Sequence, residues 1–142
     1  MERTGRLRVT EYFRARLAEE ARRSERYNRD FSVAFISCQE TEARQIFNSL
    51  RPFLRCTDVV EVIRGLVGAA SEGLRQERER VAFIMPETGR AESQAVMERL
   101  KADLSDLPDL RLGLAVFPED AQNPQDLLAL AARDAGETFE TS

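Results

Sequence analysis

The sequence predicts an α+β sandwich, with a central mixed or antiparallel sheet and helices packed on it. Short apolar runs such as FSVAFI and VAFIM, bounded by turn residues, are typical of buried strands. Amphipathic stretches with an apolar residue at every third or fourth position alternate with these runs. The chain has 142 residues, which is the size of one domain with a single core.

The predicted elements follow one another as helix, strand, helix, strand, strand, helix, strand and helix. Helices are predicted over 9–27, 42–54 and 90–104 and from Pro124. Strands are predicted over 31–36, 59–63, 80–86 and 110–117. Residues 64–80 are predicted as an extended connection, and the tail from Gly136 is predicted to fray. This order, with helices on one side of the strands, is typical of a ferredoxin-like sandwich.

Composition argues against several classes of protein. The chain is 42% hydrophobic and 32% charged, and no apolar run approaches the ~20 residues that span a bilayer. The first residues have no apolar segment of the signal-peptide type, so we expect a cytoplasmic location. The net charge of −4 argues against sequence-independent nucleic-acid binding. There is no histidine, and Cys38 and Cys56 have no metal-ligand spacing, so we expect no metal and no cofactor.

Four segments of the chain carry motifs in a fixed order. They are YFRARLAEEARRSERYNRDFSVAFI, RCTDVVEV with an RxxD motif, VAFIMPETGRAESQAVMERL, and LRLGLAVFPEDAQNPQDLLALA with an FPxD turn. Together, roughly over residues 4–132, these segments resemble the GGDEF family of diguanylate cyclases. The resemblance implies a nucleotidyl-cyclase palm fold. We therefore predict one degenerate GGDEF-like domain over 1–142, with a leading helix within 1–30 and a flexible tail over 136–142.

The resemblance also implies that the catalytic residues of the family are missing. Diguanylate cyclases join two GTP molecules into cyclic di-GMP, and carboxylates hold the Mg²⁺ that this chemistry needs. The metal aspartate of the family falls on Ser37, and its next aspartate falls on Gln39. The five signature positions fall on 77–81, ERERV, where both glycines are replaced and only Glu79 keeps an acidic character. We therefore predict no catalytic residue, no metal ligand and no enzyme activity.

One ligand-binding motif of the family is retained. Many members bind cyclic di-GMP at an inhibitory RxxD site, and Arg55-Cys56-Thr57-Asp58 matches that motif. Arginine can form a fork to phosphate or guanine, while aspartate accepts hydrogen bonds from guanine nitrogens. A further arginine of this site falls on Arg99. The resemblance thus implies Arg55, Asp58 and Arg99 as binding residues.

Two functions stay open at this point. In the first, the domain is a catalytically inactive receptor that binds cyclic di-GMP and passes the signal to a protein partner. In the second, it is a dimerisation or docking module of a bacterial signalling protein and binds no nucleotide. A homodimer or a signalling protein is the expected partner, and no nucleic-acid or membrane partner is expected. Arg55 and Asp58 could also simply pair at a helix-to-strand junction, so the RxxD motif alone does not decide between the two.

Overall fold

The computed structural model describes residues 5–39, 43–53, 59–66, 78–107, 109–137 and 139–141. These residues form β1 (Gly5–Arg8), α1 (Glu11–Tyr27), β2 (Phe31–Gln39), α2 (Ala43–Leu50), β3 (Val59–Leu66), β4 (Arg78–Met85), α3 (Arg90–Asp103), β5 (Arg111–Phe117), α4 (Leu127–Asp134) and β6 (Phe139–Thr141). Short 3-10 turns follow α2 and precede α4. The predicted order of helices and strands is confirmed, with one strand added at each end.

The strands form one sheet in the order β5-β2-β4-β3-β1-β6. Neighbouring strands run antiparallel except for β1 and β6, which pair in parallel. This mixed sheet with helices packed on it confirms the predicted fold class. Strand β3 extends to Leu66 and β4 begins at Arg78, so both enter the segment predicted as a connection. The remainder of that connection, 67–77, lies outside the described residues.

Helices cover both faces of the sheet, and the prediction of one covered face is wrong. Side chains alternate along a strand, so Phe31 and Phe35 of β2 pack with α1 and α4, whereas Ala34 and Ile36 pack with α2 and α3. Strands without polar alternation, such as β2 and β4, require an apolar neighbour on each face. None of the described helices is long and apolar enough to cross a membrane.

The first and last described strands pair with each other at one edge of the sheet. Strand β1 precedes α1 within the region predicted only as a leading helix, and α1 begins after Thr10, whose hydroxyl oxygen accepts a hydrogen bond from the Phe13 amide. Strand β6 lies in the segment predicted as a flexible tail, and its residues Phe139–Thr141 pair with β1. Both strands are too short to appear as apolar runs, and they form because the sheet offers unpaired backbone groups at its edge.

Carboxylates accept hydrogen bonds from backbone amides of β5, the strand at the opposite edge of the sheet. Asp134 of α4 accepts a hydrogen bond from the Leu114 amide at 3.0 Å, and Asp120 accepts one from the Val116 amide at 2.8 Å. Asp120 also accepts a 2.6 Å hydrogen bond from Arg90, and this bond is the largest cause of the raised pKa of Arg90, against the lowering by burial. Asp120 and Asp134 thus occupy backbone donors that could otherwise pair with another strand.

Helix α4 packs directly onto the backbone of β5 at Gly113. A Cβ atom at this position would overlap the carbonyl oxygen of Ala131 and would lie 2.7 Å from the backbone nitrogen of Ala135. Both obstacles are main-chain atoms, which cannot rotate away. Glycine is therefore required, and the close approach that it permits determines where the residues after α4 are placed.

We expect Gly113→Ala to lower the free energy of unfolding by about 3 kcal/mol, because α4 must move away from the sheet to admit the methyl group. Urea denaturation measures the loss. Gly89→Ala is the matched control, since its added Cβ would lie 3.4 Å from the Asp30 carboxylate, an ordinary contact. We expect the control to lose less than about 1 kcal/mol. Equal losses in the two variants would contradict the close packing of α4 on β5.

Candidate functional site

Glu137, which follows α4, is a buried carboxylate whose side chain is 4% exposed. Its Oε2 accepts hydrogen bonds from Ser37 Oγ at 2.6 Å and from Arg111 Nη1 at 3.3 Å, and its Oε1 accepts one from Arg80 Nε at 2.8 Å. Burying a carboxylate is unfavourable unless it is paired and hydrogen-bonded, and these three donors meet that requirement. We refer to Ser37, Arg80 and Arg111 as the cradle of Glu137.

The register of the sheet brings the cradle together. Ser37 on β2 is the direct partner of Arg80 on β4 and of Arg111 on β5. Partners in register on adjacent strands direct their side chains to the same face of a sheet. This is the face that α1 and α4 cover, because Ser37 continues the alternation of Phe31 and Phe35. The three donors therefore face the segment that follows α4.

Glu137 is positioned by the C-terminal cap of α4. Gly136 has a φ of 90°, and its amide donates to the Arg133 carbonyl at 2.9 Å. The Glu137 amide donates to the Ala132 carbonyl, also at 2.9 Å. This pair of hydrogen bonds is a Schellman motif, which places a residue in the left-handed region where glycine is favoured. The cap turns the chain back towards the sheet, so Glu137 reaches the cradle within one residue of the turn.

The two arginines of the cradle differ in their exposure to solvent. The side chain of Arg80 is 16% exposed and that of Arg111 is 40% exposed. Solvent screens a charge pair more strongly where it is exposed, so the pair of Glu137 with Arg80 is the stronger of the two. Arg111 forms the rim of the cluster, on the side from which solvent reaches it.

Two residues of the cradle, Ser37 and Arg80, occupy positions at which the family resemblance predicts catalytic residues. Ser37 stands at the position of the metal aspartate, and Arg80 stands at the fourth position of the signature. Glu79, the one acidic residue retained there, has Cys38 as its cross-strand partner and faces the other side of the sheet. The structure therefore does not bring Glu79 together with Ser37.

These residues do not fit the Mg²⁺ ions that the family resemblance implies. Magnesium prefers carboxylate oxygens, whereas Ser37 offers a neutral hydroxyl that is bonded to Glu137. Arg80 places a positive charge where a divalent cation would have to be held. In the described part of the chain, no group of three or more Asp, Glu, Cys or His residues is placed to hold a metal ion.

The predicted cyclic di-GMP residues lie elsewhere. Arg55 and Asp58 belong to 54–58, which is outside the described residues. Arg99 is exposed on α3, and α3 packs on the face of the sheet opposite to Glu137. The structure thus separates Arg99 from the cradle. A common site of Arg55, Asp58 and Arg99 stays a prediction.

The sequence contains a signal for the position of Glu137 but none for its partners. Gly136 stands two residues after the end of α4 at Asp134, which is typical of a glycine in a Schellman motif. That signal predicts a chain that turns back onto the domain, and not one that frays. The partners depend on the register of three strands that are distant in the sequence, and local patterns do not reveal it.

Comparisons with known proteins bear on the fold. No protein-family model and no curated protein sequence matches the chain. Among solved structures, a DGC protein from Thermotoga maritima has a TM-score of 0.62 at 15% identity, over 94% of this chain and 96% of that chain. The FimX GGDEF domain from Pseudomonas aeruginosa has a TM-score of 0.61 at 14% identity, over 92% and 91%. The diguanylate cyclase SiaD of the same organism, in complex with its activator SiaC, has a TM-score of 0.60 at 14% identity, over 92% of this chain and 57% of that chain.

These similarities cover 92 to 94% of this chain. At identities of 14 to 15% they show a common fold and not a common activity. The fold is thus retained, although the residues at Ser37 and Arg80 differ from the signature. The resemblance predicted from four sequence motifs is confirmed, and the chain has the fold of a GGDEF domain.

Proposed function

We propose that this chain is a single, non-catalytic GGDEF-like domain that acts in bacterial signalling by binding rather than by catalysis. One observation carries the proposal: Ser37 and Arg80 hold the carboxylate of Glu137 at the position where the family resemblance predicts metal ligands. A cluster of hydrogen-bond donors that already binds a carboxylate favours an anion, whereas a site for Mg²⁺ favours a cation.

The consequence for catalysis follows from the charge that develops in phosphoryl transfer. Metal ions stabilise that charge by several kcal/mol, and each 1.4 kcal/mol of lost stabilisation lowers the rate about tenfold. Arg80 cannot replace the metal, because its Nε donates a hydrogen bond to Glu137 and this bond holds the guanidinium in place. Because neither Ser37 nor Arg80 supplies a carboxylate, we expect the chain to form no cyclic di-GMP.

Within this role, we propose that the domain is a receptor for cyclic di-GMP and that Arg55, Asp58 and Arg99 bind the ligand. The chain reaches Arg55 two residues after the 3-10 turn that follows α2. Helix α2 contacts α3, which carries Arg99 on its exposed surface. The contact between these two helices supports a common site, and Arg99 lies on the face of the sheet opposite to Glu137.

A docking module that binds no nucleotide is the second candidate. Tyr12 and Tyr27 of α1 are exposed, at 63% and 58%, and exposed tyrosines are frequent in protein interfaces. The solved complex of SiaD with its activator SiaC is a case in which a protein similar to this chain binds a protein partner. In this alternative, α1 is the contact surface of a homodimer or of a signalling partner.

We expect the purified chain, incubated with GTP and Mg²⁺ or Mn²⁺, to form no cyclic di-GMP that chromatography detects. Ser37→Asp is an informative companion, because it supplies one carboxylate while Arg80 stays in place, and we expect it to be inactive as well. An active diguanylate cyclase in parallel verifies the assay. Product that increases with the concentration of the wild-type chain would contradict the proposal.

We expect cyclic di-GMP to bind the chain in isothermal titration calorimetry and Arg99→Ala to weaken the binding at least about tenfold, since one charge-assisted contact is worth about 1.4 kcal/mol or more. Lys101→Ala is the matched control, because Lys101 is another exposed cation of α3. We expect the control to change the affinity less than about twofold, and Arg55→Ala to behave like Arg99→Ala.

The same titration separates the two candidates. Absence of heat, or equal affinities of Arg99→Ala and Lys101→Ala, would contradict the receptor. An oligomer whose mass in light scattering is unaffected by nucleotide and is reduced by Tyr12→Ala would then favour the docking module.

A further inference from the structure

We propose that the exposed face of α1 binds the same face of a second copy of this chain, with the two helices antiparallel. The proposal rests on the docking role that stands as the second candidate function, and it specifies the partner, the surface and the orientation. Five exposed residues, at alternating steps of three and four positions, form the surface: Tyr12, Ala15, Glu19, Arg22 and Arg26. This spacing is that of the contact positions in paired helices, and we refer to the five residues as the seam of α1.

The seam lies on the side of α1 that faces away from the sheet. Phe13, Leu17 and Ala21 are buried against the sheet and α4. At 3.6 residues per turn, these buried positions and the seam lie on opposite sides of the helix. Packing within the domain therefore uses one side of α1 and leaves the seam accessible to another molecule.

Two arginines of the seam form no salt bridge with a carboxylate of the described residues. They are Arg22 and Arg26, whereas the neighbouring Arg23 pairs with Glu20 and with Glu87. Like charges four residues apart on a helix repel each other. Arg22 also lies before the last turn of α1, so the helix dipole, whose effect is confined to that turn, does not account for its charge. A carboxylate from another molecule would compensate this excess of positive charge.

The charges of the seam are complementary to those of a second copy only when the two helices are antiparallel. With a two-fold axis midway between Glu19 and Arg22, each Glu19 faces Arg22 of the second copy, and two ion pairs form. Arg26 then faces Ala15 of the second copy, whose small side chain leaves room for the guanidinium to reach the ring of Tyr12. In a parallel pair, Glu19 would face Glu19 and Arg22 would face Arg22, and these like charges would repel each other.

A contact of this kind is short and polar. The seam spans about 21 Å of helix, at 1.5 Å per residue. Exposed ion pairs contribute little to affinity, and small interfaces are typical of transient complexes. We therefore expect a dissociation constant of about 0.1 mM, which increases with the salt concentration because salt screens exposed charges.

Sedimentation equilibrium of the full chain, at concentrations up to about 1 mM, measures the dissociation constant of the dimer. We expect Glu19→Arg to raise this constant at least about tenfold, because both ion pairs become repulsive pairs. Glu25→Arg is the matched control, since it makes the same change of charge at an exposed residue of α1 that lies beside the seam. We expect the control to change the constant less than about twofold.

An exchange of the two charges tests the orientation of the helices. Glu19→Arg combined with Arg22→Glu forms the same two ion pairs with reversed polarity, so we expect a dissociation constant within about threefold of the wild type. Glu19→Arg and Arg22→Glu are each expected to be monomeric alone and to associate when mixed in equal amounts. In that mixture, one chain carries two carboxylates and the other carries two guanidinium groups at the paired positions.

The proposal is overturned if the wild type is monomeric at about 1 mM, if Glu19→Arg and Glu25→Arg weaken association equally, or if the exchange of charges does not restore it. Circular dichroism verifies that each variant is folded, and Arg22→Glu replaces Glu19→Arg, with the same expected loss, if the latter does not fold. A monomer that binds cyclic di-GMP in calorimetry contradicts the dimer and leaves the receptor in place, so the two proposals fail separately.

Discussion

A buried carboxylate has to be paired, and this constraint connects most of the structure around Glu137. Arg80 can pair with it only if β4 lies next to β2, and Ser37 can donate only if β2 lies between β4 and β5. Glu137 itself reaches the cradle because Gly136 turns the chain at the end of α4. Helix α4 in turn is close enough to the sheet because β5 has no side chain at Gly113. Sheet order, helix packing and helix capping thus converge on one ion pair.

The charges in the cluster around Glu137 are the reverse of those that the GGDEF signature implies at these positions of the sheet. In the family, as the resemblance implies, carboxylates project from the strands and a cation is bound between them. In this chain, hydrogen-bond donors project from the strands and a carboxylate of the same chain is bound between them. Both arrangements neutralise concentrated charge in a place of low solvent access. Neither hydrophobic core includes a residue of this cluster, so either arrangement is compatible with the same fold.

The sequence predicted those parts of the fold that have a local signal. Apolar runs marked β2, β4 and β5, and apolar periodicity marked α1, α3 and α4, because burial imposes those patterns on each element by itself. Strands β1 and β6 have four and three residues and gain their stability from the edge they join, so no pattern marked them.

The sequence predicted which residues of the family's catalytic site are missing, but it did not predict the interactions that stand in their place. The motif positions identified Ser37 and Arg80 as departures from the family, since that comparison needs only local alignment. The pairing of both residues with Glu137 spans 100 and 57 positions of the chain, and only the register of the folded sheet creates it. The grouping of Arg55, Asp58 and Arg99 stays a prediction, because 54–58 lies outside the described residues.

The central claim is that Glu137 and Arg80 form a strong, buried pair at the position of the metal site. A double-mutant cycle with Glu137→Gln and Arg80→Met measures that pair directly, and the exposed pair of Glu119 with Arg90 provides the reference cycle. The account predicts a coupling free energy of about 1.5 kcal/mol or more for the buried pair and about 0.5 kcal/mol or less for the reference. A coupling of the Glu137–Arg80 pair no larger than that of the reference pair would contradict it.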